Sequence, residues 1–381
     1  MVRPPELLTL MQQLIATPSV SSTRPDWDQS NLAVIEKLEL WLSGLGFRTE
    51  VQPIAGFPGK ANLLAVLGSG PGGLVLSGHT DTVPFDGELW QSDPFRLTER
   101  DNRLYGLGTC DMKGFFALAI EAARQFVDRP LRQPLMILAT ADEETSMCGA
   151  RALAAAGQPR ARYAVIGEPT GMRPVNLHKG MMMERLRVRG HSGHSSNPAL
   201  GNNAMEAMHR LITELLAYRG ELQSRFQDAA FEVAVPTLNL GCLHGGDNPN
   251  RICGQCELDF DLRPLPGMHL EDLRGDIERR LRPLAEQMGV VLELESLFPG
   301  IPSFDNRGTA LVSLAEQLSG HPAQSVAFGT EGPFLQALGM DTIVMGPGAI
   351  EQAHQPDEYL AMEQIKPSVA LLAQLIARCC L

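Results

Sequence analysis

The sequence predicts an α/β fold: a mainly parallel sheet covered by helices on both faces, with a smaller βαββαβ (ferredoxin-like) domain inserted into it. Short apolar runs and longer amphipathic stretches alternate from residue 5 to about 178, the pattern of strands joined by crossover helices. Beyond His178-Lys-Gly180 the order becomes strand, helix, strand, strand, helix, strand, a split βαβ sandwich. Acidic and imidazole side chains fall at the exits of strand-like runs both before this insertion and again at His354, so the first domain has to resume after it.

Leu7, Leu8, Met11 and Leu14 carry helical spacing and predict a helix over 5–17; a second runs from Asn31 to Gly46. Leu74-Val75-Leu76, Leu135 to Ala139, Ala164-Val165-Ile166 and Thr342 to Met345 read as buried strands, and Gly108 to Gly114 opens a helix. In the insertion, strands are predicted at Met182–Gly190, Thr237–Leu243, Ile252–Leu262 and Val290–Leu297, with helices at Ala204–Tyr218 and Leu270–Met288. The helix at Ala310–Leu318 leads back. The expected domains are residues 1–179 with 299–381, and 180–298.

The length of 381 residues fits two domains, and 44% hydrophobic residues suffice for two cores. A net charge of −12 argues against a nucleic-acid or anionic-membrane partner. The first residues lack the apolar run and cleavage site of a secretory leader, and no run approaches 18 apolar residues, so no membrane span is expected. Seven cysteines without a disulfide framework favour a reducing cytoplasm. Cys253 and Cys256 fall in RICGQCELDFDLR, whose alternation predicts a strand; residues three apart on a strand face opposite sides, which disfavours a redox or zinc pair.

Six residues at strand exits carry the chemistry: His79, Asp111, Glu143, Glu144, Glu168 and His354. Ligand sites in open α/β sheets collect outside the carboxyl ends of strands. Imidazole and carboxylate suit zinc, and a carboxylate can bridge two metals roughly 3.5–4 Å apart whereas a neutral imidazole cannot. Asp81, two residues beyond His79, is expected to point to the same side and fix its ring. Glu143 and Glu144 are adjacent and cannot share a direction, so one can bind metal while the other holds a water.

The segments GHTDTVPFDG (78–87), LYGLGTCDMKGFFA (104–117), ILATADEETSMCGAR (137–151), VIGEPT (165–170), SGHSSNPA (192–199), the long stretch 236–268 and MGPGAIEQAHQPDEYL (345–360) resemble the di-zinc aminoacylase, carboxypeptidase and desuccinylase family. The longer strings are most similar to members that deacetylate N2-acetyl-L-ornithine on the route to arginine. The resemblance implies one metal at His79, Asp111 and Glu168, and a second at Asp111, Glu144 and His354, with Asp111 bridging. The metals would be zinc, with cobalt the alternative. It implies Glu143 as general base, Asp81 orienting His79, and a cis peptide at Asp111-Met112. Cys110 beside the bridge reads as a small buried residue. The resemblance also implies a homodimer through the inserted domain, with His194 reaching the neighbouring subunit's site as an oxyanion donor; His191 is the second choice. His178 is expected to line the cleft, and His209, His244, His269 and His321 to lie on the surface or in loops.

An α-carboxylate on the substrate needs a cation, and both Arg251 and Arg263 qualify because guanidinium grips carboxylate bidentately. The resemblance favours Arg263, with Asn250 near it. Thr330 and Glu331 are expected at the pocket floor, Thr330 on the substrate and Glu331 facing a side-chain amine such as that of ornithine. The alternatives within this chemistry are N-acetylcitrulline and N-succinyl-diaminopimelate.

Overall fold

The computed structural model describes residues 3–381. In chain order the elements are α1 (Leu7–Ile15), α2 (Leu32–Gly44), β1 (Arg48–Pro53), β2 (Ala61–Leu67), β3 (Leu74–His79), the short β4 (Thr98–Arg100) and β5 (Arg103–Tyr105), α3 (Lys113–Arg124), β6 (Leu135–Thr140), α4 (Cys148–Ala156), β7 (Tyr163–Pro169) and β8 (Val175–His178). There follow β9 (Met182–Arg189), α5 (Ala204–Arg225), β10 (Thr237–Gly245), β11 (Gln255–Arg263), α6 (Leu270–Gln287) and β12 (Val291–Ser296). The chain closes with β13 (Phe304–Asp305), α7 (Ala310–Ser319), β14 (Gln324–Val326), α8 (Gly332–Ala337), β15 (Asp341–Gly346), β16 (Tyr359–Ala361) and α9 (Met362–Cys380).

Two units form. The larger holds the chain up to Asn176 together with Asn306–Gln324 and Thr330–Leu381; the smaller holds Leu177–Asp305 and Ser325–Gly329. The smaller unit is therefore wider than 180–298. Its two chain crossings are zipped together by the pairs Leu177↔Asp305, His178↔Phe304 and Met181↔Ile301, which extend it on both sides. Residues 325–329 join it because the Ser325 hydroxyl donates to the Ala230 carbonyl at 2.6 Å.

In the larger unit β6, β3, β7 and β15 lie side by side in parallel, while β1 and β2 extend the sheet antiparallel beyond β6. The hairpin 48–67 is thus an antiparallel edge that simple strand–helix alternation does not predict. β3 and β6 are buried at every position, because helices cover both faces of the parallel centre. Helix α3 packs on β3 and against α1 and α9, burying Phe115 and Phe116 completely. Gly167 in β7 is required by this packing: a Cβ there would stand 2.2 Å from the Phe115 ring. The neighbouring Glu168 is thereby set at the strand exit.

In the smaller unit the four strands run antiparallel in the order β10-β11-β9-β12. Leu211, Leu215, Tyr218 and Leu222 of α5 and Leu273, Ile277 and Leu281 of α6 share one core with Leu186, Val188, Leu258 and Phe260 of the sheet. The same face carries Glu184, fully buried and neutralised by Arg274 of α6 at 2.7 Å. The opposite face bears a cross-strand ladder, Arg185 with Asp259 at 2.7 Å and Arg187 with Glu257 at 2.6 Å.

The strand predicted to begin at Ile252 begins instead at Gln255, after a turn in which the Asn248 carbonyl accepts the Arg251 N–H. Cys253 consequently precedes the strand and does not oppose Cys256. Both are buried in the same core, where burial and then the neighbouring Cys253 push the Cys256 thiol up. His178 does not line an open surface either. It is fully buried, its Nδ1 is 2.8 Å from the Lys179 carbonyl, and its ring lies 5.3 Å from that of Phe304.

Candidate metal centre

All six strand-exit residues belong to the larger unit and meet at one end of its parallel centre. His79 ends β3, Glu168 lies in β7, and Glu143 and Glu144 follow β6 in a turn whose first residue, Asp142, has φ 54°. Asp111 precedes α3 with a cis bond to Met112. His354 follows β15 with φ 60°.

His79 Nε2 lies 3.1 Å from Asp111 Oδ1 and 3.8 Å from Glu168 Oε1. His354 Nε2 lies 3.0 Å from Glu144 Oε1 and 3.5 Å from Asp111 Oδ2. The two oxygens of Asp111 thus face different histidines. Ligand atoms of His79, Glu143 and Glu168 gather within 4.8 Å of one another, as do those of His79, Asp111 and Glu144. Two atoms bound to one tetrahedral zinc at about 2.0–2.1 Å stand about 3.3–3.4 Å apart, so these spacings match a shared ion.

Asp81 supports the cluster in a different way from the one expected. Its backbone carbonyl lies 3.0 Å from His79 Nδ1, whereas its carboxylate is 3.6 Å away. A carbonyl only accepts, so Nδ1 carries a proton, which leaves Nε2 as the nitrogen that would bind an ion. The carboxylate instead accepts the N–H of Glu143 at 3.2 Å and of Glu144 at 3.1 Å. Lys60, missed in the sequence, anchors the same turn: its buried ammonium reaches Asp142 at 2.7 Å and Asp28 at 2.8 Å.

The electrostatics call for cations. Burial, and then Glu168, holds the Glu143 carboxyl well above its usual range; burial, and then Asp111, does the same for Glu168 and raises Glu144. Burial alone would depress His79, but the nearby carboxylates of Asp111 and Asp81 outweigh it and keep it well raised. Asp111 and then Glu144 push His354 up to about 10. Glu168 Oε1 is buried with no hydrogen-bond partner. An orphaned carboxylate oxygen among acids that resist ionising together is what divalent cations would satisfy.

Cys110 is buried, its thiol donates to the Ala349 carbonyl at 3.4 Å, and burial followed by Glu358 keeps it well above its usual range. Thr330 and Glu331 are 0% and 1% exposed. Glu331 is as deeply buried as His79, and its Oε1 has no hydrogen-bond partner. The Thr140 hydroxyl lies between its Oε2 and the Gly78 carbonyl, and burial raises it to about 7.

The other expected site residues belong to the smaller unit. His194 is exposed; its Nδ1 accepts from the Ser196 amide, and its backbone pairs with Arg251. Asn250 lies beside it, its carbonyl accepting the Ser195 N–H at 3.0 Å. Arg263 pairs with Asp261 at 2.9 Å at the far end of β11. Asn250 precedes the start of that strand, and its eight steps span roughly 26 Å, so Arg263 and Asn250 of one chain are not neighbours.

Residues 75–378 match the peptidase family M20/M25/M40. The chain is 52% identical over 377 residues to the acetylornithine deacetylase of Edwardsiella ictaluri, covering 99% of this chain and 98% of that one. It is 50% identical over 380 residues to that of Pectobacterium carotovorum, with the same coverage. Among solved structures it resembles an M20 metallo-carboxypeptidase from Sulfolobus solfataricus (TM-score 0.74, 16% identity, 98% and 99% covered). It also resembles a dinuclear metal binding M20 peptidase from Bacillus subtilis (TM-score 0.67, 17% identity, 98% of each covered). The chain belongs to the peptidase family M20/M25/M40.

Proposed function

We propose that the protein hydrolyses N2-acetyl-L-ornithine to L-ornithine and acetate, in arginine biosynthesis, at a centre holding two divalent metal ions. The observation that carries the substrate is identity of about half over nearly the whole chain to acetylornithine deacetylases. The donor set of imidazole and carboxylate suits zinc, with cobalt as the alternative. His79, Asp111 and Glu168 would hold one ion and Asp111, Glu144 and His354 the other, the two oxygens of Asp111 divided between them.

When bound, the metals supply acidification of a water and polarisation of the amide carbonyl. Glu143 takes the proton of the attacking water and delivers it to the departing nitrogen, acting first as base and then as acid. Its placement beside His79 and Glu168 supports that role. His194 donates to the oxygen that gains charge, from the neighbouring subunit of a homodimer formed by the smaller unit. Asn250, adjacent to His194, accompanies it, whereas Arg263 of the first chain grips the α-carboxylate. Thr330 and Glu331 support the site from its buried side. The cytoplasm is the expected compartment; among the described residues no helix is long and apolar enough to cross a membrane.

The test is steady-state hydrolysis of N-acetyl-L-ornithine beside N-acetyl-L-citrulline and N-succinyl-diaminopimelate, before and after chelation and metal restoration. Preference for acetylornithine with activity that follows metal content supports the proposal. Preference for another substrate with the same metal dependence retains the centre and changes the substrate.

A further inference from the structure

Glu358 lies four residues beyond His354 and is buried to 1% exposure, with backbone amides as the donors to its carboxylate and the buried Lys113 as a charge partner. Its Oε1 accepts the N–H of Cys110 at 2.8 Å and of Asp111 at 2.9 Å, and both oxygens receive the N–H of Gly108, at 3.0 and 3.1 Å. Its own carbonyl accepts the Gly106 N–H at 3.0 Å. The turn 106–111 is thus wrapped around one residue of the His354 segment. One further bond stitches the same pair of segments: the Cys110 thiol donates to the Ala349 carbonyl at 3.4 Å.

We propose that Glu358 is a positioning residue: its carboxylate fixes the Asp111 backbone relative to the His354 segment and so sets the affinity for the ion those two residues share. This rests on the two-metal reading above. Asp111 donates its N–H to Glu358 while presenting one oxygen to His79 and the other to His354. A turn of its backbone by a few tens of degrees would swing the Cα–Cβ bond away and break that division. Three backbone donors converging on one carboxyl group leave the turn little freedom to rotate. Groups that orient metal ligands typically govern metal affinity by 10–100-fold.

The substitutions Glu358→Ala and Glu358→Gln separate the positioning role from a purely structural one. Gln keeps one acceptor for Cys110 and Asp111 but turns an amide N–H2 towards the Gly108 N–H, so it is a partial replacement. Metal-stripped wild type and variants would be titrated with zinc against a competing chelator, and their metal-free unfolding midpoints compared. Wild type is expected to take up two equivalents. Relative to it, Glu358→Ala should bind the weaker equivalent roughly 10–100-fold less tightly and Glu358→Gln several-fold less tightly, with the tighter equivalent changed least. Wild type binding fewer than two equivalents would overturn the metal-centre reading. Wild type binding two while both variants match its affinities would overturn the role of Glu358 alone. If Glu358→Ala does not fold, Glu358→Gln decides: several-fold weaker binding supports the proposal, and unchanged affinity overturns it.

Discussion

Asp81 reaches His79 through its backbone carbonyl and Glu143 through its carboxylate, so one residue sets both an imidazole tautomer and the turn that carries the proposed base. The two functions separate on substitution. Asp81→Asn keeps the carbonyl and one acceptor oxygen, but its amide N–H2 meets the N–H of Glu143 or Glu144 and leaves it without an acceptor. Metal content is expected to stay near wild type while kcat falls by roughly 10–100-fold, measured on protein whose metal has been quantified. Equal loss of metal and rate would point to His79 as the group disturbed.

Glu143→Gln removes the proton acceptor and keeps the side-chain volume. Two metal equivalents should remain, and kcat should drop by at least the roughly 10²–10⁴ that positioned acid–base catalysis contributes. A variant with full metal and wild-type turnover would remove Glu143 from its role.

The His194 side chain is exposed and bonds to Ser196, two residues away, so His194→Ala should leave the unfolding midpoint unchanged. If it serves a neighbouring subunit, its loss should lower kcat by roughly 10²-fold, about 3 kcal/mol. Mixing His194→Ala with Glu143→Gln subunits should then restore activity, because a heterodimer holds one site with both groups intact. Absence of recovery after verified subunit exchange would place His194 in its own chain's site or outside catalysis.

The buried His178 gives the smaller unit an acid sensitivity of defined sign. Burial lowers its pKa from 6.5 to about 4. Above pH 6.5 both states are neutral there and stability is at its full value. Between 6.5 and about 4 the unfolded chain binds a proton that the folded one refuses, so stability falls as pH falls. From pH 8 to 5.0 the loss amounts to about 2 kcal/mol, the unfolded imidazole taking up its proton gradually around 6.5. Chemical denaturation of wild type and His178→Asn at both pH values should show a smaller difference in the variant.

The cluster was legible because His79, Glu143, Glu144, Glu168 and His354 come after apolar runs that read as strands of a buried sheet, while Asp111 opens the helical stretch between two of them. Residue type and position at a strand exit together place such side chains at one end. The supports were not legible. Glu358 stands in an acidic pair, Asp357-Glu358, that reads as solvated, and only the folded turn at 106–111 reveals three amides waiting for it. Lys60 lies between Gly59 and Ala61 with no local sign that it will meet Asp142, more than 80 positions away. The depth of Glu331 was not legible either, because burial depends on packing from elements distant in sequence. The nearness of Asn250 to Arg263 was expected from the resemblance alone; the strand between them, legible in the alternation of RICGQCELDFDLR, separates them within one chain.

His79 is sealed at 1% exposure, while the His354 side chain remains 53% exposed. With the proposed ligands, the ion shared by Asp111, Glu144 and His354 stands nearer the solvent and leaves through the residue easiest to displace. Its exchange should be the faster of the two, so brief treatment with a scavenger followed by a second metal would yield a protein carrying two different ions in a fixed order. The order of loading would then be a property of the fold.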